Sequence, residues 1–486
     1  MHTQFSRLVH MSLYLIVCLG LLSCTSVGPV YVRPQGAMPT KWINADLPSG
    51  SVADSEDIGD ISTWWQRLHD PLLTELIAAA QMASPDLRSA RAKLREARAR
   101  REMAVGALYP TLSGSVSAER NRSSALTGGG GTRNYFTAGF DATWEADVFG
   151  GLRRGIEAAD ADLQSSEANL ENTEASLAAE IARNYVELRA LQIRLGIARA
   201  NLASQSETLQ IAEWRAEAGL VSSQDVEQAR AVQAQTQAQI PALQASLAAT
   251  EYTLEFLLGK APGTLAARLA VVAPLPAVPA QIAVGIPANA LRQRPDVRAA
   301  ERTLAAETAR VGVAEAARYP SFNLSGSIGL DALSVGGLGN SGAVSSSLLA
   351  AIAAPILDGG RLRAQVDAQN AVREQAEIAY RQALLSALQD VENALTLLAS
   401  GGQRVKALEV AVASARSASE LAIQRYSAGL IDFQSVLDTQ RTVLTSEDNL
   451  ASARADRVLA LIRLYKALGG GWKPISPPLQ SRETMR

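Results

Sequence analysis

The sequence predicts an α+β chain made by internal duplication, in which long coiled-coil-like helices alternate with two pairs of β-strands. Three observations carry this. A segment opening Pro295-Asp296 and closing Tyr319-Pro320 already occurs as Pro85-Asp86 through Tyr109-Pro110, an offset of 295 − 85 = 210 residues. The same offset relates Gly150 to Gly360, Gly219-Leu220 to Gly429-Leu430, and Leu258-Gly259 to Leu468-Gly469. One ungapped register over roughly 175 residues marks a repeat. After each Tyr-Pro the hydrophobic period changes from 3.6 to 2, the change that separates helix from strand.

Before the first repeat, the N-terminus sets the compartment. Met11–Leu22 is apolar apart from Ser12. It falls short of the ~20 residues a bilayer helix needs, but suits a signal-peptide core. It ends in Leu21-Leu22-Ser23-Cys24, which resembles a bacterial lipoprotein signal. Residues 1–23 are therefore expected to be removed and Cys24 to be acylated; two acyl chains give stable membrane anchoring. With Cys18 lost in the leader, Cys24 is the only cysteine left and no intramolecular disulfide can form. Residues 24–63, rich in Pro, Gly, Ser and Asp, read as a tether.

The first repeat is expected over 64–260. A helix at about 86–107 precedes two strands, at about 111–120 and 135–146. In the first, Leu112, Gly114, Val116 and Ala118 alternate with Ser113, Ser115, Ser117 and Glu119. In the second, Phe136, Ala138, Phe140, Ala142 and Trp144 oppose Thr137, Asp141, Thr143 and Glu145. The second repeat, 288–472, places strands at about 321–331 and 344–356, with Phe322 and Leu324 on the apolar face. Residues 121–134 and 331–343 read as solvated loops. The apolar face requires either a covering layer of protein or lipid. Four strands cannot close a bilayer barrel, whose smallest form has 8, so the lipid setting needs several copies giving 8, 12 or 16 strands.

Long helices follow the strands. Leu163, Leu170, Leu177 and Leu191 make one sevenfold series, and Ile181, Leu188, Leu195, Leu202 and Leu209 another; Val391, Leu398, Val405 and Val412 repeat the second. Such spacing predicts left-handed coiled-coil packing. Gly401-Gly402 predicts a bend or break, and Pro241 a kink. The helices turn at Gly219, followed by a Ser222-x-x-Asp225 box, and at Gly429, with Asp432 as N-cap. A Pro-rich linker (261–287) joins the halves, and 473–486 form a flexible tail.

Composition excludes several functions. Net charge is −2, without the basic face of a nucleic-acid binder. His2 and His10 lie in the leader, leaving His69 and one cysteine, so no metal or other cofactor is expected. No His-Glu-x-x-His, Gly-x-Ser-x-Gly or P-loop occurs, so no enzyme is expected.

Several ordered motifs carry a family resemblance. They are Leu21–Cys24, Asp70-Pro71-Leu72, Arg294-Pro295-Asp296-Val297, Tyr319-Pro320, Asp358-Gly359-Gly360-Arg361, Tyr426–Gly429 and Leu468–Trp472. Together they resemble the TolC-type outer membrane factor family, in its lipoprotein (NodT-like) branch of resistance-nodulation-division (RND) efflux systems. Ala290, where the family usually has Leu, and Gly401-Gly402 depart from the pattern. The resemblance implies an α+β membrane protein: a homotrimer whose four strands per chain make a 12-stranded β-barrel continuous with a periplasmic α-helical barrel. It implies an outer-membrane exit duct fed by an inner-membrane RND pump through a periplasmic adaptor. By position it assigns a periplasmic gate to Asp432, Gln434 and Asp438, with Asp225 at the matching place. An Asp ring would favour cations, whereas an Asp in a helix's first turn is stabilised whether or not it faces a pore. Leu220, Val221 and Leu430 are candidates either for adaptor contact or for packing beneath the turns. The other functions considered are a type I protein-secretion channel and a lipid-anchored coiled-coil structural protein.

Overall fold

The computed structural model describes residues 26–34, 39, 42–43, 52–53, 61–126, 129–279, 282–283 and 291–472. The leader, Cys24 and the 473–486 tail lie outside the described residues, as do parts of the tether and of the linker. Among the described residues no helix is long and apolar enough to cross a membrane, a statement that does not bear on strands. The chain divides into two compact units: Met1–Gln35, Lys93–Glu167 and Ala299–Arg381, and Gly36–Ala92, Ala168–Arg298 and Gln382–Arg486.

The helices repeat pairwise. In the first half α1 (Pro71–Ala83), α2 (Pro85–Gly106), α3 (Gly151–Glu217) and α4 (Ser223–Leu257) follow in order. In the second, α5 (Pro295–Ala316), α6 (Arg361–Ser427) and α7 (Phe433–Ala467) copy α2, α3 and α4. Asp70 caps α1, its carboxylate accepting from Leu73 N at 3.0 Å. Each long helix has 67 residues, about 100 Å at 1.5 Å per residue. Most of the sevenfold positions are removed from solvent: Leu170, Leu177, Ile181, Leu188, Leu195, Val391, Leu398, Val405 and Val412 are buried, while Leu163 and Leu202 are half-buried.

Neither Gly401-Gly402 nor Pro241 ends its helix. Helix α6 runs unbroken through Gly401-Gly402, and α4 continues across Pro241. The cost of a glycine, up to about 1 kcal/mol, is small against the hydrogen-bonded turns on either side. Gly401 also lies beside α7, with Arg457 Cβ 3.6 Å from where a Cβ would stand.

The sheet belongs to the first unit. Strands β1 (Thr111–Arg122), β2 (Thr132–Ala146), β3 (Ser321–Ala332) and β4 (Val344–Ala353) form an antiparallel sheet in the order β1-β2-β3-β4. Thr111 pairs with Thr143 and Ser321 with Ala353, so the hairpin register repeats at the 210-residue offset. The β1–β2 ladder takes in Asn121, Arg122, Thr132 and Arg133, which the alternation assigns to the loop. Backbone pairing needs no apolar side chain, so it outlasts the hydrophobic pattern. Strand β4 is shorter than expected, stopping at Ala353 rather than 356.

One face of the sheet is a polar ladder. Thr111 and Thr143 hydroxyls lie 2.7 Å apart, Ser117 and Thr137 2.8 Å, and Ser327 and Ser347 2.8 Å. The other face carries the apolar set. Phe140, Trp144, Leu324, Ile328, Leu348 and Ile352 are all exposed, and Phe136 and Phe322 are half-buried. No described protein layer covers this face. Phe140 fills the gap at Gly114, its ring 3.4 Å from an added Cβ, as an aromatic often does beside a strand glycine.

In the same unit the start of the tether is fastened. Val27 N donates to Phe149 O at 3.1 Å, and buried Arg154 donates to Val27 O and Gly28 O. Tyr31 Oη and Arg33 Nε both donate to Glu301, at 3.2 and 2.9 Å. In the second unit Trp64 is fully buried and stacks on Tyr465 with centroids 5.5 Å apart. There Arg294, from the repeated Pro-Asp motif, pairs with Asp296 and Asp390 and donates to Ala467 O at 3.1 Å, closing the end of α7.

Candidate functional site

The two helix turns are built alike, in the second unit. Gly219 and Gly429 both have φ 71°, a left-handed conformation that glycine adopts without Cβ strain. Leu220 N donates to Arg215 O at 2.8 Å and Gly219 N to Ala216 O at 2.9 Å. The copy matches: Leu430 N to Arg425 O at 2.9 Å, and Gly429 N to Tyr426 O at 3.0 Å. This is the Schellman pattern, in which the residue after the glycine usually packs against an apolar side chain five positions earlier. Here that earlier residue is an arginine in both turns. Leu220 and Leu430, lacking an apolar partner at that position, are each 73% exposed.

The remaining apolar residues turn inward. Tyr426, Phe433, Val226, Val232, Val436 and Leu437 belong to one buried cluster, and Val221 and Ile431 pack against it at matching positions. Of the three candidate contact residues, the structure therefore exposes Leu220 and Leu430 and places Val221 partly under the turn.

The acidic candidates divide similarly. Ser222 and Asp225 form a full capping box: Ser222 N donates to Asp225 Oδ2 at 3.0 Å and Asp225 N to Ser222 Oγ at 3.3 Å. Asp432 caps α7, accepting from Ser435 N at 2.9 Å and Ser435 Oγ at 2.6 Å. Those two hydrogen bonds hold its carboxyl below the usual range. Gln434 and Asp438 stand one turn apart on the exposed side of α7, Gln434 Nε2 donating to Asp438 Oδ1 at 3.0 Å. Arg441 reaches the same carboxylate at 3.5 Å. Buried Val436, Leu437 and Gln440 line the opposite side.

Sequence reasoning missed Arg215. Its guanidinium lies 4.5 Å from the Tyr426 ring centroid and donates to Tyr426 O and Ser427 O at 3.2 and 3.1 Å. It thus satisfies the terminal carbonyls of α6 from the first turn. The available signal was an asymmetry of the repeat: Arg215 and Arg425 match, but Tyr426 falls opposite Ala216. Higher up, Arg194 pairs with Asp448 through contacts of 2.6 and 3.1 Å, and Gln440 donates to Thr208 at 2.7 Å. These tie α7 to α3.

A duplicated chain with long coiled-coil helices and an open four-stranded sheet, apolar on its uncovered face, defines a protomer of an outer-membrane channel. The Outer membrane efflux protein family matches residues 76–260 and 286–470, two copies again 286 − 76 = 210 residues apart. The chain belongs to this family. It is 32% identical over 464 residues to Nodulation protein T of Rhizobium leguminosarum bv. trifolii, covering 94% of this chain and 96% of the relative. It is 31% identical over 472 residues to the toluene efflux pump outer membrane protein TtgF of Pseudomonas putida, covering 95% and 98%. Among solved structures, the outer-membrane channel OprN matches with TM-score 0.86 and 34% identity over 93% of this chain and 100% of that one.

Proposed function

We propose that this protein is the outer-membrane exit duct of a tripartite efflux system, passing drugs or other small molecules expelled by an inner-membrane RND pump through a periplasmic adaptor. The observation that carries the reading is the sheet. Its apolar residues Phe140, Trp144, Ile328, Leu348 and Ile352 are exposed while its other face is hydroxyl-lined. Lipid on one side and water on the other accommodate both faces, provided several copies close the barrel. A homotrimer does so with twelve strands.

In this reading the chain binds no nucleic acid and catalyses nothing; it conducts passively. Cys24 carries the lipid anchor. The turns at Gly219 and Gly429 form the periplasmic tip, with Leu220 and Leu430 as the apolar points offered to the adaptor and Val221 as their support. Gln434 and Asp438 face the pore, where a threefold acid ring favours cations. Asp225 and Asp432 hold the helix starts that aim them.

The test is conductance of the purified oligomer in planar bilayers, with Asp438→Ala beside it. We expect cation-selective channels whose closed-state conductance rises in the variant. A native protein that forms no channels and leaves drug susceptibility unchanged on gene deletion overturns the reading. Conductance unaltered by Asp438→Ala removes the gate assignment alone.

A further inference from the structure

The apolar face of β1 changes character at its far end. Leu112, Val116 and Ala118 hold even-numbered places, and so do Arg120 and Arg122, which continue the same row. The ladder seats Arg120 opposite Asn134 and Arg122 opposite Thr132, all four exposed. The charges of the sheet divide by face. The acidic strand residues Glu119, Asp141, Glu145 and Asp331 take odd-numbered places on the polar face, as does Arg133. Only the two arginines carry charge on the apolar one. We propose that Arg120 and Arg122, with Asn134 and Thr132 beside them, bind the phosphate groups of lipid headgroups in the outer leaflet. The proposal rests on the channel reading above and adds a lipid site to it.

Position along the strand supports this. The strand ends at Thr111 and Ala146 lead to the helices, so the hairpin end carrying Arg120 and Arg122 points away from the periplasm. At the helix end Trp144 donates its indole N–H to Leu108 O at 2.9 Å, an amphipathic ring suited to the inner border of the bilayer. Ten residues of β2 separate Trp144 from Asn134. They span roughly 33 Å of strand, or about 25 Å of height at a tilt of about 40°, which is the height of a barrel's apolar band. Arg120, opposite Asn134, therefore stands at the outer border, and Arg122 lies about 7 Å further along the strand.

The chemistry also fits. A guanidinium matches phosphate oxygens two at a time and is less strongly hydrated than an ammonium. The cross-strand partners are uncharged, and residues 120–134 include no acid to compete for the arginines. The Asn134 amide and Thr132 hydroxyl add further donors. Pairing in the ladder holds the two arginines in place, where a loop would leave them free. Their repeat copies are Leu330 and Ala332, and Asn134 corresponds to Val344. The second hairpin thus stays apolar where the first turns basic. Arg120 can lay its stem along that apolar rim and lift its charge to the headgroups. Each copy has one such site.

Lipid-dependent melting tests the site. The oligomer, purified in neutral detergent, is titrated with diphosphoryl lipid A and with the same glycolipid dephosphorylated. The phosphorylated form should raise the melting temperature of the native protein at concentrations where the other does nothing. Arg120→Gln with Arg122→Gln should weaken the apparent affinity on the order of tenfold or more. Arg133→Gln, removing an arginine from the other face of the same ladder, should leave it unchanged. Equal response to both lipids, unaltered affinity in the double variant, or equal loss in Arg133→Gln overturns the site. Inorganic phosphate acting at the same concentration as the lipid overturns it too, by making the occupant a free anion. A native protein that is monomeric and forms no channels in planar bilayers overturns the channel reading. Conducting oligomers indifferent to the phosphorylated lipid overturn the lipid site alone.

Discussion

Arg215 lies over the ring of Tyr426 at 4.5 Å and donates to the backbone carbonyls of Tyr426 and Ser427, joining the first helix turn to the second. The bond has no copy in the other direction, because Ala216 stands where an equivalent ring would be. One turn therefore braces the other on one side only.

Replacing Arg215 with Ala removes the stacked cation and two charge-assisted hydrogen bonds, together about 1–2 kcal/mol at this partly exposed site. The end of α6 should loosen while the coiled-coil body is unaffected. Hydrogen exchange over residues 424–432 is expected to accelerate and closed-state conductance to rise. Arg215→Lys should recover only part of the effect, since an ammonium cannot reproduce the planar two-point contact. Exchange rates identical to the native protein would show that the brace is idle.

Leu220 and Leu430 give a second expectation. Each is 73% exposed, at the position where a Schellman turn usually buries a side chain. Leu220→Asp with Leu430→Asp should leave helix content and oligomeric state unchanged and weaken adaptor binding by tenfold or more, on the scale of lost hot-spot residues. Val221→Asp should instead lower stability, because Val221 packs on the buried cluster. Equal adaptor affinity in the native protein and the leucine double variant would reject the contact.

Gly401 and Gly402 offer a stability test. Beside Arg457, a Cβ at Gly401 would meet its nearest atom at 3.6 Å and one at Gly402 at 3.9 Å, ordinary contact distances. Both residues are helical. Each Gly→Ala change should therefore stabilise by about 0.5–1 kcal/mol through reduced freedom of the unfolded chain. Thermal melting in detergent reads this directly. A lower melting temperature would show that the added methyl is not accommodated beside Arg457.

These glycines also show where sequence reasoning reached its limit. The alternation over Phe136–Trp144 and the leucine and valine series fixed which residues face which way, because period is a property of one element. The capping box of Ser222 and Asp225 was legible for the same reason: its partners are three residues apart. The outcome at Gly401-Gly402 was not, since a local propensity of about 1 kcal/mol was opposed by the whole of a 67-residue helix. Arg215 with Tyr426 and Glu301 with Tyr31 were invisible as well. Their partners are 211 and 270 residues apart, and only the packed chain brings them together.

The fastening of residues 26–34 should respond to pH at both ends of the scale. Burial alone would raise the Glu301 carboxyl, but hydrogen bonds from Arg33 and Arg302 outweigh it and leave the group below its ordinary 4.5. Its contribution is complete above pH 4.5 and is lost as pH falls through the lowered folded value. Tyr31 behaves oppositely. Burial, then the nearby Glu301 charge, push its phenol up to about 12 from 10.0. Its contribution is complete below pH 10 and is lost as pH rises through about 12. Residues 26–34 should therefore be held tightly at neutral pH and released in strong acid and strong base. A nitroxide at Val32→Cys, a position 79% exposed and so tolerant of the label, would report this as a mobile spectrum in strong acid, well under pH 4.5, and an immobilised one at pH 7. Glu301→Gln should give the mobile spectrum already at pH 7. Gly28→Ala should do the same by another route, since its φ is 89° and an added Cβ would stand 2.4 Å from Gly312 Cα. An immobilised spectrum in both variants at pH 7 would show that neither the carboxylate nor the close glycine contact holds the segment.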